Sequence, residues 1–273
     1  MIVRELPDGR VLAITQENHA DISAQFAAHW GSDTFAKLKP YDTLVFATTY
    51  HDSGHRDVDA EVPFDLENCR PYGHRNVPAE RRKPDAMAAN TEWLCDRDLY
   101  SGLLVSMHHT GLRKQRYDTI KSWQSGAQPA STDTFAGMER AFSDLEPWQK
   151  DASVKLGLED PKARREFWSN YCMLQVFDLL SLYFCLDGYQ GDRMIETSLV
   201  GIPVAYEGDK VADLHITPAG DGRVRMDPFP LDTPLHVVVP ARVFEPAPYA
   251  SEVDARAAFY VAPRQALEWE ITA

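Results

Sequence analysis

Long apolar runs are missing from this chain. No stretch reaches the roughly 20 apolar residues that a membrane-spanning helix needs, and the opening MIVRELPDGR has no apolar core of signal-peptide length. The expectation is a soluble, cytoplasmic protein with no membrane partner. Cysteine is scarce: the four residues Cys69, Cys95, Cys172 and Cys185 form no CxxC pair and no framework of a secreted scaffold, so they read as reduced thiols filling the core. Glycine-rich phosphate loops are absent. Neither a P-loop nor a GxGxxG after a strand occurs, which removes support for nucleoside triphosphate or dinucleotide binding in those modes, and there is no GxSxG nucleophile elbow. Basic charge is also in deficit. Lys and Arg number 28 against 41 acids, a formal net charge of -13, and that field repels nucleic acid unless a local patch overrides it. No internal repeat or low-complexity segment is present.

What is present fits one large domain or one domain with an annex, since 273 residues with 44% apolar content can bury a substantial core. The pattern changes near residue 190. Before it, helical periodicity marks 16–30, 41–52, 85–112, 133–156 and 161–186, separated by Pro and Gly punctuation such as Pro71-Tyr72-Gly73. After it come short β-branched runs at 199–206, 211–217, 222–226, 235–243, 257–262 and 267–272. Two short apolar runs, Ile2-Val3 and Val11 to Ile14, flank Pro7-Asp8-Gly9 and predict a hairpin that joins this sheet. The expected fold is therefore mainly α: a helical bundle over 1–190 with an N-terminal hairpin, and an appended antiparallel β-sheet over 191–273 packed on the same domain. That sheet has two available roles, as a roof over a cleft or as a homodimer interface through its edges.

Four polar residues sit where apolar ones are expected. His19, Ile22, Phe26 and Trp30 form one helical stripe. Leu44, Ala47 and His51 share a face of the next helix and Val45, Thr48 and Asp52 the adjacent one, which puts His51 and Asp52 side by side at its end. Asp178 lies four residues after Leu174, seven after Tyr171 and four before Leu182. A buried His can be satisfied by a carbonyl and a buried Asp by an Arg. A divalent cation compensates all four at once, because unpaired buried polar groups cost several kcal/mol. Between Asp52 and Asp178 lie His55, His74, His108 and His109; His108 follows Leu104 by four and His109 follows Val105 by four, so either can face inward from one helix end. His55, one turn after His51, suits a substrate contact or a proton shuttle. His74, in a Pro/Gly loop, has the weakest claim.

The order His, His-Asp, distant Asp resembles the HD superfamily of metal-dependent phosphohydrolases, and TTYHDSGHRD looks like its second-helix signature. More closely, MIVRE with ITQENHA, HDSGHRDVD, GLLVSMHHTGL and QVFDLLSLYFC are similar to a bacterial family of HD-like proteins of unknown function. The resemblance implies an HD-type helical bundle with His19, His51, Asp52 and Asp178 as metal ligands. Two-metal members add two histidines between the doublet and the last Asp, a role for which His108 is the first candidate here.

Imidazole and carboxylate ligands suit Fe, Mn, Zn, Co or Ni, and such a site polarises a phosphoryl oxygen and activates water. The expected function is metal-dependent hydrolysis of a small, anionic phosphorylated compound, with Asp52, His55 and His108 in the catalytic set. Cations for such a substrate occur in two runs, Arg70, Arg75, Arg81, Arg82 and Lys83, and Arg113, Lys114, Arg116 and Lys121, of which Arg113 and Lys114 are the first candidates. Taken singly, each run reads first as a solvated basic loop, and the second is better placed because it continues from the His108-His109 helix. Two other readings stay open: an HD-type iron oxygenase, and a non-catalytic metal-stabilised binding or sensing module.

Overall fold

The computed structural model describes residues 1–114, 120–124 and 133–273. The chain opens with strands β1 (Ile2–Glu5) and β2 (Val11–Ile14), antiparallel and turned at Gly9, whose φ of +85° suits a residue without Cβ. Thr15 ends β2 and caps α1 (Gln16–His29), its hydroxyl accepting from the Asn18 N–H at 3.1 Å. Strand and helix are thus joined by a single residue. Helix α2 (Tyr41–Tyr50) leads through a 3-10 turn, Ser53–His55, into α3 (Arg56–Glu61), and a two-residue hairpin, β3 (Phe64–Asp65) with β4 (Arg70–Pro71), follows.

The long helical stretch expected over 85–112 is two helices, α4 (Pro84–Arg97) and α5 (Leu99–Arg113). Asp98 breaks it. At φ -154° its backbone leaves the helix, and its carboxylate accepts the N–H groups of Tyr100 and Ser101 that open α5. Gly102 then lets α5 lie against α4, since a Cβ there would sit 2.8 Å from the Cys95 backbone nitrogen. After β5 (Lys121–Gln124) come two short helices, α6 (Met138–Ser143) and α7 (Pro147–Lys155), where one helical segment over 133–156 was expected. Helix α8 (Pro161–Leu182) starts with the Asp160 carboxylate accepting from Ala163, and most of its residues are buried.

The remaining strands are the pair β6 (Tyr189–Gln190) and β7 (Arg193–Met194), then β8 (Thr197–Pro203), β9 (Val211–Gly220), β10 (Arg223–Asp227) and β11 (Leu235–Phe244). Residues 257–262, read from sequence as a strand, belong to helix α9 (Glu252–Val261), whose first turn is capped by Ser251 accepting from the Asp254 N–H. Strand β12 (Arg264–Thr272) ends the fold.

A mainly α bundle with an appended sheet is not what forms. One eight-stranded mixed sheet, in the order β1-β2-β11-β12-β10-β9-β8-β5, draws strands from the start, middle and end of the chain, so the sheet is a full layer of the architecture. All pairings are antiparallel except β10 with β12. Along β11, Val237, Val239 and Ala241 are buried while His236 and Val238 face outward, and Leu214, Ile216, Val224, Met226, Trp269 and Ile271 extend that buried face across neighbouring strands. The buried face joins α1 and α8 in one apolar core. The N-terminal hairpin joins the sheet as its sequence predicts, whereas β5, four residues in a polar segment, is too short for alternation to register. Among the described residues, no helix is long and apolar enough to cross a membrane.

Candidate metal centre

Three helices and one helix end converge on a single buried cluster. His19 comes from α1, His51 and Asp52 from the end of α2, His108 from α5 and Asp178 from the middle of α8; none is more than 8% exposed. His19 Nε2 lies 3.0 Å from Asp178 Oδ1 and 3.8 Å from Asp52 Oδ2. His51 Nε2 lies 3.8 Å from Asp178 Oδ1 and 3.9 Å from Asp52 Oδ2. Ligand atoms held about 2.1 Å from one ion stand about 3–4 Å apart. His19, His51 and Asp178 each offer an atom within 4.8 Å of the others, the spacing a single ion spans.

The direction of each imidazole is fixed from behind. His51 Nδ1–H donates to the Thr48 carbonyl at 2.7 Å. Ser181 Oγ donates to the Asp178 carbonyl at 3.1 Å and accepts from His19 Nδ1. Both rings therefore present Nε2 to the cluster, the arrangement in which a neutral imidazole offers its lone pair to a metal. His51 Nε2 is buried and has no hydrogen-bond partner, since 3.8 Å to Asp178 is too long for one. A buried ring nitrogen without a partner beside two buried carboxylates is what a cation would satisfy, and the residues present fit a divalent transition ion.

The electrostatics point the same way. Burial disfavours charge on His51, but Asp52 and Asp178 outweigh it and raise its pKa to about 9. Burial likewise opposes ionisation of Asp178, yet His19 and His51 hold its carboxyl well below the usual carboxylate range. Asp52 is depressed against burial in the same manner, by His51 first and then His109. Burial drives His108 down to about 3, so it stays neutral. The two buried carboxylates thus favour positive charge at His51, the sign of charge that a bound cation would supply.

His108 Nε2 lies 3.6 Å from Asp178 Oδ2, and His109 Nε2 lies 3.5 Å from Asp52 Oδ1. Both histidines of the doublet thus face the cluster, on opposite carboxylates. His55, half-buried with a pKa lowered by burial, lines an adjacent cavity, and its backbone N–H donates to the Asp52 backbone carbonyl at 2.9 Å. His74, lowered to about 4 by burial and then by Arg75, lines the same cavity. Arg113 reaches the space in front of the cluster, whereas Lys114 Nζ donates to the Asp144 carbonyl at 3.3 Å. Arg116 falls outside the described residues.

The basic run before α4 is dissolved by distant acids. Arg70 pairs with Glu5, Arg75 with Asp187, Arg81 with Glu252 and Lys83 with Glu61. Arg82 has no carboxylate partner among the described residues and donates to the Val77 carbonyl. Two contributors escape sequence reasoning. Gln16, 5% exposed, donates from its side-chain amide to Asp52 Oδ2 at 3.0 Å while its backbone N–H donates to Asp59 Oδ2 at 2.6 Å. A Gln in the first turn of a helix carries no sign of burial; Ser181 does, three residues after Asp178 on the same buried face.

The model of a family described as a protein of unknown function (DUF3891) matches residues 1–245, and the chain belongs to that family. No curated protein and no solved structure matches it.

Proposed function

We propose that the cluster binds a divalent transition ion through His19, His51, Asp52 and Asp178, and that the protein hydrolyses a small phosphorylated compound. The observation that carries this reading is the pair of inward-facing Nε2 atoms, each held from behind by a hydrogen bond and set between two ionised, buried carboxylates. The sequence order of these residues supports kinship with the HD superfamily. A bound Fe, Mn, Zn, Co or Ni ion would supply Lewis acidity at the phosphoryl oxygen and lower the pKa of water.

The chain's own residues have separate tasks. Arg113 meets the phosphoryl charge, its guanidinium making no ion pair among the described residues and only a 3.4 Å contact to Thr110 Oγ1. Gln16 holds Asp52 in register. His55, neutral because burial lowers its pKa, is free to take up a proton at the cavity wall as water adds to phosphorus and the alcohol departs. The test is metal content by elemental analysis of protein purified without added metal, followed by anaerobic assay of phosphate release with Mn, Co, Ni or Zn.

A second reading rests on His108 and His109. Their positions on Asp178 and Asp52 offer imidazoles for a second ion, the requirement of an HD-type iron oxygenase. Two irons per chain, an oxygen-sensitive reduced form and no phosphatase activity would favour it. A cluster that binds metal and turns over no substrate of either class would favour a binding or sensing module.

A further inference from the structure

Two neighbouring cavities lie beside the cluster and share part of their lining. One, of about 600 Å³, opens between α4, α5 and α7 and reaches His109. The other, of about 370 Å³, is lined by His55 and His74 and lies beneath the chain between α3 and α4. Pro84, Met87 and Arg113 line both, so the first turn of α4 and one guanidinium form the partition between them. Arg113 follows His109 by four residues on α5 and therefore stands one turn above it on the same face.

The smaller cavity differs in kind from an ordinary phosphate pocket. Val58, Pro63, Tyr72, Val77 and Met87 make its wall mostly apolar. Of its charged groups, Asp59 is paired with the Met1 ammonium and Lys83 with Glu61, each at 2.5 Å, which leaves Arg82 and Arg113 with no carboxylate partner among the described residues. The volume falls within the range of small-molecule sites, about 300–1,000 Å³, in which apolar walls hold the body of a ligand and a few polar groups set its orientation. A small hydrophilic phosphate ester would leave this wall wet.

Resting on the hydrolase reading above, we propose that the substrate is the phosphomonoester of an apolar alcohol, aromatic or branched aliphatic. Its phosphoryl group sits at Arg113 beside His109 and Asp52, and its apolar body fills the 370 Å³ cavity. Hydrolysis then forms a bond between water oxygen and phosphorus, breaks the ester P–O bond, and releases inorganic phosphate with the apolar alcohol. Arg82, exposed on the cavity wall, is a second cation for the anion.

The test uses two non-hydrolysable probes, phenylphosphonate and methylphosphonate, titrated calorimetrically into the full-length protein as purified and after loading with Mn. The expected result is tighter binding of the phenyl compound by about tenfold or more. Ala79→Trp, which places a large ring on the cavity wall from an exposed turn, should bring the ratio to within about twofold. Arg82→Ala should weaken both probes by a common factor and keep the ratio. Equal affinities in the unaltered protein, or an undiminished preference in Ala79→Trp, overturns the proposal. The two readings fail separately. Phenyl preference without phosphate release from phenyl phosphate sinks the hydrolase and leaves the cavity assignment standing, whereas release from methyl and phenyl phosphate with the same KM does the reverse.

Discussion

Ser181 and His19 are 162 residues apart and share one hydrogen bond, in which the imidazole Nδ1–H donates to a hydroxyl whose own proton is committed to the Asp178 carbonyl. That chain of donors leaves His19 no choice of tautomer. Ser181→Ala removes the orienting acceptor without opening a large cavity. Metal affinity should fall about 10- to 100-fold, the usual cost of losing such a support, while the thermal transition of the metal-free protein moves little. Competition titration against a chelator measures it, and an unchanged affinity would remove Ser181 from the site.

His51→Ala and Asp178→Ala should each lose most bound metal. Asp178→Ala should also destabilise the fold by about 3–5 kcal/mol, because His51 is left as a buried cation with one partner fewer. Full metal occupancy in both variants by elemental analysis would sink the ligand assignment. His74→Ala, on the cavity wall rather than in the cluster, should retain its metal.

Metal binding should release a proton. The folded pKa of His51, about 9, lies above its unfolded value of about 6.5, so the stability contributed by its charge in the metal-free protein is complete below about pH 6.5 and disappears as pH rises through about 9. A metal must displace that proton, so its apparent affinity should rise about tenfold per pH unit from pH 6 to 8 and level off above 9. Calorimetry in buffers of different ionisation enthalpy counts the proton. Binding that is independent of pH across this window would contradict the assignment.

Gly102→Ala should be costly although the substitution favours helix formation. The added methyl meets the Cys95 backbone, 2.8 Å from its nitrogen, and forces α5 away from α4. A loss of about 1–3 kcal/mol in denaturant unfolding is expected. Asp98→Ala acts on the same boundary by removing the cap of α5, at about 0.5–2 kcal/mol.

Sequence reveals a buried polar residue when its neighbours are apolar at helical spacing. His19 on its Ile22-Phe26-Trp30 stripe and Asp178 between Leu174 and Leu182 meet that condition, and the structure brings them to 3.0 Å. His109 was less distinct, since a residue at the end of α5 borders both the core and a cavity. The sheet was the larger misreading. The N-terminal hairpin was legible and joins the sheet through β2 and β11, but β5 lies in a polar segment and gives no strand signal. The 257–262 run has β-branched and aromatic content but sits behind the Ser251 cap, and the local hydrogen bond to Asp254 decides for helix. Ion pairs were hidden for a different reason. Arg81 and Glu252 are 171 residues apart, and nothing local in sequence pairs them.

The single residue between β2 and α1 ties the metal centre to the most distant part of the chain. Strand β2 pairs with β11 through Ala13 and Arg242, Leu12 and Val243, and Val11 and Phe244. A chain emerging from the ribosome therefore exposes His19, His51, Asp52 and Asp178 well before the strand that anchors the first of them exists. All four are synthesised before residues 235–244, so the sheet next to the helix bearing His19 closes only when that late strand arrives. The strand pairing next to α1 is of the long-range kind that slows folding most.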